Sequence, residues 1–296
     1  FYEAIGRLIE PAKQPGYARL LEAWSAANRQ RYAGALRVAA EQLAAAARDV
    51  EPIAEEGRSM LRSALKAVGI GKDEQRRQEL AMAALVERLN QRINGATARM
   101  LALYRIDPGQ ALTINARVRD NFAVHAPVDK AQAGLLGAVV SGAATGLSAD
   151  MMAGGLTMGA GALLGAIVGG LTMAGAAWGF NQRLDRDKPG VQFADPFLQS
   201  LLVSAVLRYL AVAHFGRGRG NWVEGEAPAF WQREVEQVLG EHAAKDPELW
   251  KSVRAAPSEA AAAQLVEAVL RPALDATLAK LYPGVALPVP AEIAPA

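Results

Sequence analysis

Residues 131–180 read AQAGLLGAVVSGAATGLSADMMAGGLTMGAGALLGAIVGGLTMAGAAWGF, and the fold turns on how they are interpreted. Between Lys130 and Arg183 there are 52 residues and a single charge, Asp150. Thirteen of the chain's 28 glycines fall within 131–180. A segment so poor in both charge and bulk points to a membrane or to very close helix packing.

Residues 131–149 would make a helix about 28 Å long, close to the roughly 30 Å hydrocarbon thickness of a bilayer. Residues 151–180 are long enough to span again, with Asp150 at the turn. Lys130 lies at one end of the pair and Arg183, Arg186 and Lys188 at the other. In a hairpin these ends meet on one face, and the positive-inside bias places both flanking regions in the cytoplasm. Gly142 and Gly146, Gly155 and Gly159, Gly161, Gly165 and Gly169, and Gly175 and Gly179 recur four residues apart. That spacing leaves a groove in which a neighbouring backbone can approach, so these glycines are the expected helix-packing residues. In water each glycine costs about 1 kcal/mol against alanine inside a helix. Leucine and isoleucine are scarce here, which leaves three states open: a stable membrane hairpin, a hairpin inserted on a trigger, and a hairpin buried within a soluble protein.

The flanks read as charged, amphipathic helix. Residues 17–56 are rich in alanine, leucine, glutamate and arginine, all good helix formers. Tyr32, Leu36, Ala39, Leu43, Ala46 and Val50 form one apolar stripe. A short helix is predicted over Met60–Val68, then a break at Gly69-Ile70-Gly71. A second long helix begins near Lys72 or Asp73, with the stripe Val86, Leu89, Ile93, Ala96, Met100 and Leu103. It ends near Ile106, before Asp107-Pro108-Gly109. Two such helices suit an antiparallel pair, serving as structural core or as a lever. Leu112, Ile114, Ala116 and Val118 alternate with polar residues as a strand would, but the helical surroundings favour helix.

Beyond Pro189-Gly190, the residues from Phe197 to Leu210 carry a broad apolar face, read as a buried helix rather than a span because Arg208 interrupts it. Helices are predicted from Ala229-Phe230-Trp231 onward, around Trp250 and Val253, and over 258–281. The last has Ala262, Leu265, Val266, Val269, Leu270, Leu274, Leu278 and Leu281 on its apolar side, with Pro272 inside it. Between them lies Phe215-Gly-Arg-Gly-Arg-Gly-Asn-Trp222. It is either a tight connector or a loop in which Arg217, Arg219 and Trp222 hold an anion, a lipid headgroup or a partner.

Composition removes several function classes. The formal charge is +2, too small an excess to predict nucleic-acid binding. There is no cysteine, and His125, His214 and His242 are widely spaced, so no metal site is predicted. Gly69-Ile-Gly-Lys-Asp-Glu74 lacks the loop length and the hydroxyl residue of a phosphate-binding P-loop. No HExxH or GxSxG occurs, and no catalytic residue is assigned.

The run GLLGAVVSGAATGLSADMMAGGLTMGAGALLGAIVGG, followed by AGAAWGFN, LRYLAVAHFGRGRGNW and PAFW, resembles the bacterial family DUF3482. The resemblance implies a region C-terminal to a small GTPase-like domain in membrane-associated bacterial proteins, and the absent initiator methionine fits loss of that upstream domain. GTP is implied only for that domain, whose motifs this chain does not carry; no cofactor is expected here. The resulting expectation is an all-α protein, a helical bundle with long antiparallel helices and an inserted Ala/Gly-rich apolar hairpin. Its parts would be a helical arm region at 1–129, the hairpin at 130–183, a helical subdomain at 184–281 and a proline-rich tail at 282–296. It would be a non-enzymatic anchor and effector at the bacterial inner membrane, transmitting nucleotide state by helix rearrangement. Its expected partners are the upstream domain, membrane lipids and other copies of itself. A pore-forming or membrane-remodelling protein and a soluble interaction scaffold are the alternatives.

Overall fold

A computed structural model describes residues 2–53, 66–115, 180–183, 190–215, 230–243 and 245–283. The Tyr32 stripe lies on α2 (Gln14–Arg48), and its members from Tyr32 to Ala46 are all buried. The second stripe lies on α3 (Lys66–Leu103), where Val86, Leu89, Ala96 and Met100 are buried and Ile93 and Leu103 are partly so. Before α2 come a short helix, α1 (Tyr2–Leu8), and one 3-10 turn at Pro11–Lys13. After α3 the chain forms a 3-10 turn at Pro108–Gln110 and helical backbone over 111–115. The C-terminal half supplies α4 (Asp195–Phe215), α5 (Phe230–Ala243), α6 (Leu249–Ala255) and α7 (Glu259–Leu281). The fold is an all-α bundle.

Helices α2 and α3 run antiparallel. Gly34 faces Leu103, Glu41 pairs with Arg99, and Asp49 pairs with Arg88 and Arg92. Helix α7 also lies antiparallel along α2, which is its most extensive contact. Tyr32 donates its hydroxyl to Asp275 at 2.5 Å, and Arg48 near the other end of α2 donates to the carbonyls of Ala256 and Ser258. Alanines make this approach close. Ala35, Leu36 and Ala39 meet Ala205, Val206 and Tyr209 of α4 and Leu270 and Leu274 of α7 around a void of about 10 Å³. That is at the limit for one water and too small for a ligand. Residues on either side of 116–179 therefore share one apolar core. Each fully buried leucine in it contributes about 1.5–3 kcal/mol.

Three features differ from the sequence expectation. Helix α3 runs unbroken through Gly69 and Gly71. Two glycines cost about 1 kcal/mol each, and with no proline behind them they weaken a packed helix without ending it. Val50 leaves the helix for β1 (Val50–Pro52), which joins β2 (Phe180–Arg183) and β3 (Gly190–Phe193) in an antiparallel sheet of order β1-β3-β2. Strands of three or four residues are too short to show an alternating pattern. Leu265 is 39% exposed rather than buried, while Ala262, Val266, Leu270 and Leu274 carry the contact.

The end of α3 is a Schellman turn: the Ile106 N–H donates to the Leu101 carbonyl and the Arg105 N–H to that of Ala102. Arg105 holds the left-handed position at φ 58°, where a Cβ is strained. Arg105→Gly should stabilise the protein by about 1 kcal/mol, read as a higher midpoint in thermal or denaturant unfolding; an unchanged or lower midpoint contradicts this assignment.

Candidate functional site

The predicted helix-packing glycines Gly142, Gly146, Gly155, Gly159, Gly161, Gly165, Gly169, Gly175 and Gly179 lie outside the described residues, as do Asp150 and the loop residues Arg217, Arg219 and Trp222. What the structure brings together is a collar formed by the residues that flank 116–179, around Asn115 and Phe180.

The collar is built on α3. On the outgoing side Asn115 donates Nδ2 to Asn94 Oδ1 at 2.7 Å, and its own Oδ1 lies 2.8 Å from the hydroxyl of buried Thr97. The neighbouring Ile114 is buried, so the outgoing chain is seated by both polar and apolar contact. On the returning side β2 pairs with β3 from Phe180↔Phe193 to Arg183↔Gly190, and β3 packs against α3. Gly190 permits the sheet to close. A Cβ there would meet the Glu51 carbonyl oxygen and Val50 Cγ1, each at 3.0 Å.

A carboxylate–arginine clasp holds the sheet to α3. Asp49, the residue that ends α2, accepts from Arg88 Nε at 3.1 Å and Nη2 at 3.0 Å, and from Arg92 Nη1. Arg88 Nη1 also donates to Glu51 on β1 at 2.6 Å. A carboxylate at a helix C-terminus opposes the helix dipole, so Asp49 depends on these two cations. Its side chain is only 9% exposed. Burial alone would raise its pKa, but the hydrogen bonds from Arg88 and Arg92 outweigh that and hold it below the ordinary carboxylate range. The Asp49 hydrogen bond likewise raises the Arg88 guanidinium.

Two more arginines fasten the other side. Arg254 of α6 donates to the carbonyls of Ala47 and Phe193 and pairs with Asp195 at 2.6 Å. Arg48 caps the α6–α7 turn as described above. These pairings join residues roughly 40 to 210 positions apart, so no local spacing announces them; the clustered arginines of α3 were the only hint.

The collar can fix and transmit position. Among the described residues no group of three or more His, Cys, Asp or Glu is placed to hold a metal ion. One described helix, Asp195–Ala213 within α4, is long and apolar enough to cross a membrane, and its apolar window is 72% buried inside the bundle.

Fold and collar define a helical-bundle protein whose two halves, on either side of 116–179, are clasped into one core. The chain belongs to the family described as Domain of unknown function (DUF3482), whose model matches residues 1–279. No curated protein and no solved structure matches it.

Asp49→Asn should destabilise the protein by about 2 kcal/mol, between the values for exposed and fully buried ion pairs. A carboxyl whose pKa is depressed by folding stabilises fully above its unfolded value, 3.8, and loses that contribution as pH falls through the folded value. Urea unfolding should therefore show a constant gap between wild type and variant from about pH 5 to 8, closing below about pH 4. A gap that persists undiminished at pH 2 contradicts the clasp.

Proposed function

We propose that this chain is the membrane-anchoring and effector module of a bacterial GTPase-like protein, with the part of 131–180 that precedes β2 as an apolar hairpin at the inner membrane. The observation that carries this reading is the collar. Asn115 is tied to Asn94 and Thr97 of α3, while β2 is joined through β3 to the same helix and to the Arg88 clasp. Along α3 those attachment points are separated by six to nine residues, roughly 9–14 Å. A segment whose two flanks are both fastened to the same helix suits entry and exit through the same face of a bilayer, with both flanks in the cytoplasm.

The effector part rests on α2. It is one uninterrupted helix of 35 residues, about 50 Å long. Its first half is largely exposed, with Leu20 at 64%, whereas from Tyr32 onward it is core. A displacement applied near Gln14 would be carried to Asp49 and hence to the clasp at the foot of the sheet. The upstream GTPase-like domain is the partner this arrangement fits. Gly155, Gly159, Gly161, Gly165 and Gly169 provide helix contact within the hairpin and between copies. Arg217, Arg219 and Trp222 engage lipid headgroups or the upstream domain.

The test is membrane fractionation of the expressed chain after carbonate extraction, in wild type and in Gly161→Leu/Gly165→Leu. Wild type should remain in the membrane pellet as an assembled species, and the double variant should lose assembly or retention. Wild-type behaviour in the double variant contradicts the glycine packing. Recovery of a detergent-free monomer with 131–180 protected from protease replaces the anchor with a soluble scaffold, and nucleotide-independent liposome leakage replaces it with a pore.

A further inference from the structure

Helix α4 contains a buried cation that nothing in the collar explains. Arg208 is 2% exposed. Its Nη2 donates to the Ser204 hydroxyl at 3.3 Å, a long contact, while Nε and Nη1 are buried with no acceptor. Three of the five guanidinium N–H bonds, one on Nε and two on Nη1, are therefore unmet. Burial pushes the pKa down to about 10, with no carboxylate acting against it, and the group remains charged at neutral pH. Among the described residues, Asp195 is engaged with Arg254, Asp275 with Tyr32, Glu234 with Lys280, and Asp49 and Glu51 with Arg88. A buried guanidinium without a counter-charge is costly, and an apolar side chain of similar length would fill the same space without that cost.

Its position suggests what the cost maintains. Ser200, Ser204 and Arg208 are spaced four apart and so share one stripe of α4. Ser200 and Ser204 are partly exposed, which puts the guanidinium one turn, about 6 Å, inward from the open part of the stripe. The unmet donors lie on two different edges of the guanidinium, with a hydroxyl beside them. A carboxylate set on the Nη1 edge uses both of its oxygens there, whereas a phosphate group on that edge keeps further oxygens for the Ser204 hydroxyl.

We propose that Arg208 and Ser204 form a receiving site for a phosphate-class oxyanion that enters along the serine stripe. The phosphate belongs either to a soluble ion or to a lipid headgroup, and the two sources are separable by experiment. The site lies wholly within the described core and stands whether or not 131–180 enters a membrane.

The experiment is thermal unfolding of the full chain in inorganic phosphate against chloride at matched ionic strength, for wild type, Arg208→Met, Arg208→Lys and Ser204→Ala. Phosphate stabilises most folded proteins slightly by exclusion, so the difference between variants is the signal. Wild type should gain several degrees in phosphate. Arg208→Met should melt at or above wild type without phosphate and lose the specific gain; Ser204→Ala should need several-fold more phosphate for the same shift. Flotation with phosphatidylglycerol vesicles assigns the source. Binding that depends on Arg208 and is competed by phosphate identifies a headgroup, and a phosphate shift without such binding identifies a soluble ion. Equal phosphate responses in wild type and Arg208→Met, with vesicle binding indifferent to Arg208, overturn the proposal. So does an Arg208→Met protein that melts well below wild type in phosphate-free buffer, because the guanidinium would then already be satisfied. Arg208→Lys gives an independent reading: it keeps the charge but not the fork, and a phosphate response equal to wild type overturns the site.

Discussion

Asp49 ends α2, whose second half is core, and sits where a negative charge is least welcome, at that helix's C-terminus. Arg88 and Arg92 make that position tenable. Through Arg88 the same contact reaches Glu51 on β1, and β1 in turn positions β3 and β2. The sheet has little backbone pairing of its own, since its strands are only three or four residues long, but Val191 and Phe193 of β3 seat it in the core. Its place is fixed by the clasp, by Arg254 across the Ala47 and Phe193 carbonyls, and by Gly190, which lets β3 approach the Glu51 backbone. The point at which the chain re-enters the bundle at Phe180 thus depends on charge pairs made far away in sequence.

The bundle and the glycine-rich sequence at 131–180 have different physical requirements. Helices α2, α4 and α7 pack closely because alanines line their meeting faces, and the void between them is no larger than a water. Helix α4 is apolar enough to cross a membrane, yet most of its apolar window is covered by protein. A glycine-rich segment such as 131–180 gains little from packing by area, since glycine has no side chain to bury, and gains most where backbones can approach without competing water. The proposed anchor role follows from that contrast, together with the attachment of both flanks to α3.

The long helices were legible in the sequence because a 3.6-residue period over 30 or more residues is a strong signal. The stripes Tyr32–Ala46 and Val86–Leu103 mark the faces that the structure buries. The apparent break at Gly69-Ile70-Gly71 was misleading because glycine weakens a helix without removing a hydrogen bond, as proline does. The strands were not legible: β1 is a three-residue continuation of a helical stripe, and its partner lies 140 residues away. The clasp was hidden for the same reason, since Asp49 and Arg88 each look like ordinary surface charges. Arg208 was visible as an interruption in an apolar run, but its missing acceptors could be seen only in three dimensions. The glycines that drew attention first lie outside the described residues, so the structure bears on their ends and not on their packing.

Whether both flanks of 131–180 lie on one side of a membrane decides the proposed anchor role. The chain has no cysteine, which makes single-cysteine labelling clean. Cysteines introduced at Arg19, Ser148 and Lys251 would be probed with a membrane-impermeant maleimide in inside-out and right-side-out vesicles. The account predicts that positions 19 and 251 label only in inside-out vesicles and position 148 only in right-side-out ones. Labelling of 19 and 251 from opposite sides, or of all three from the same side, would contradict it.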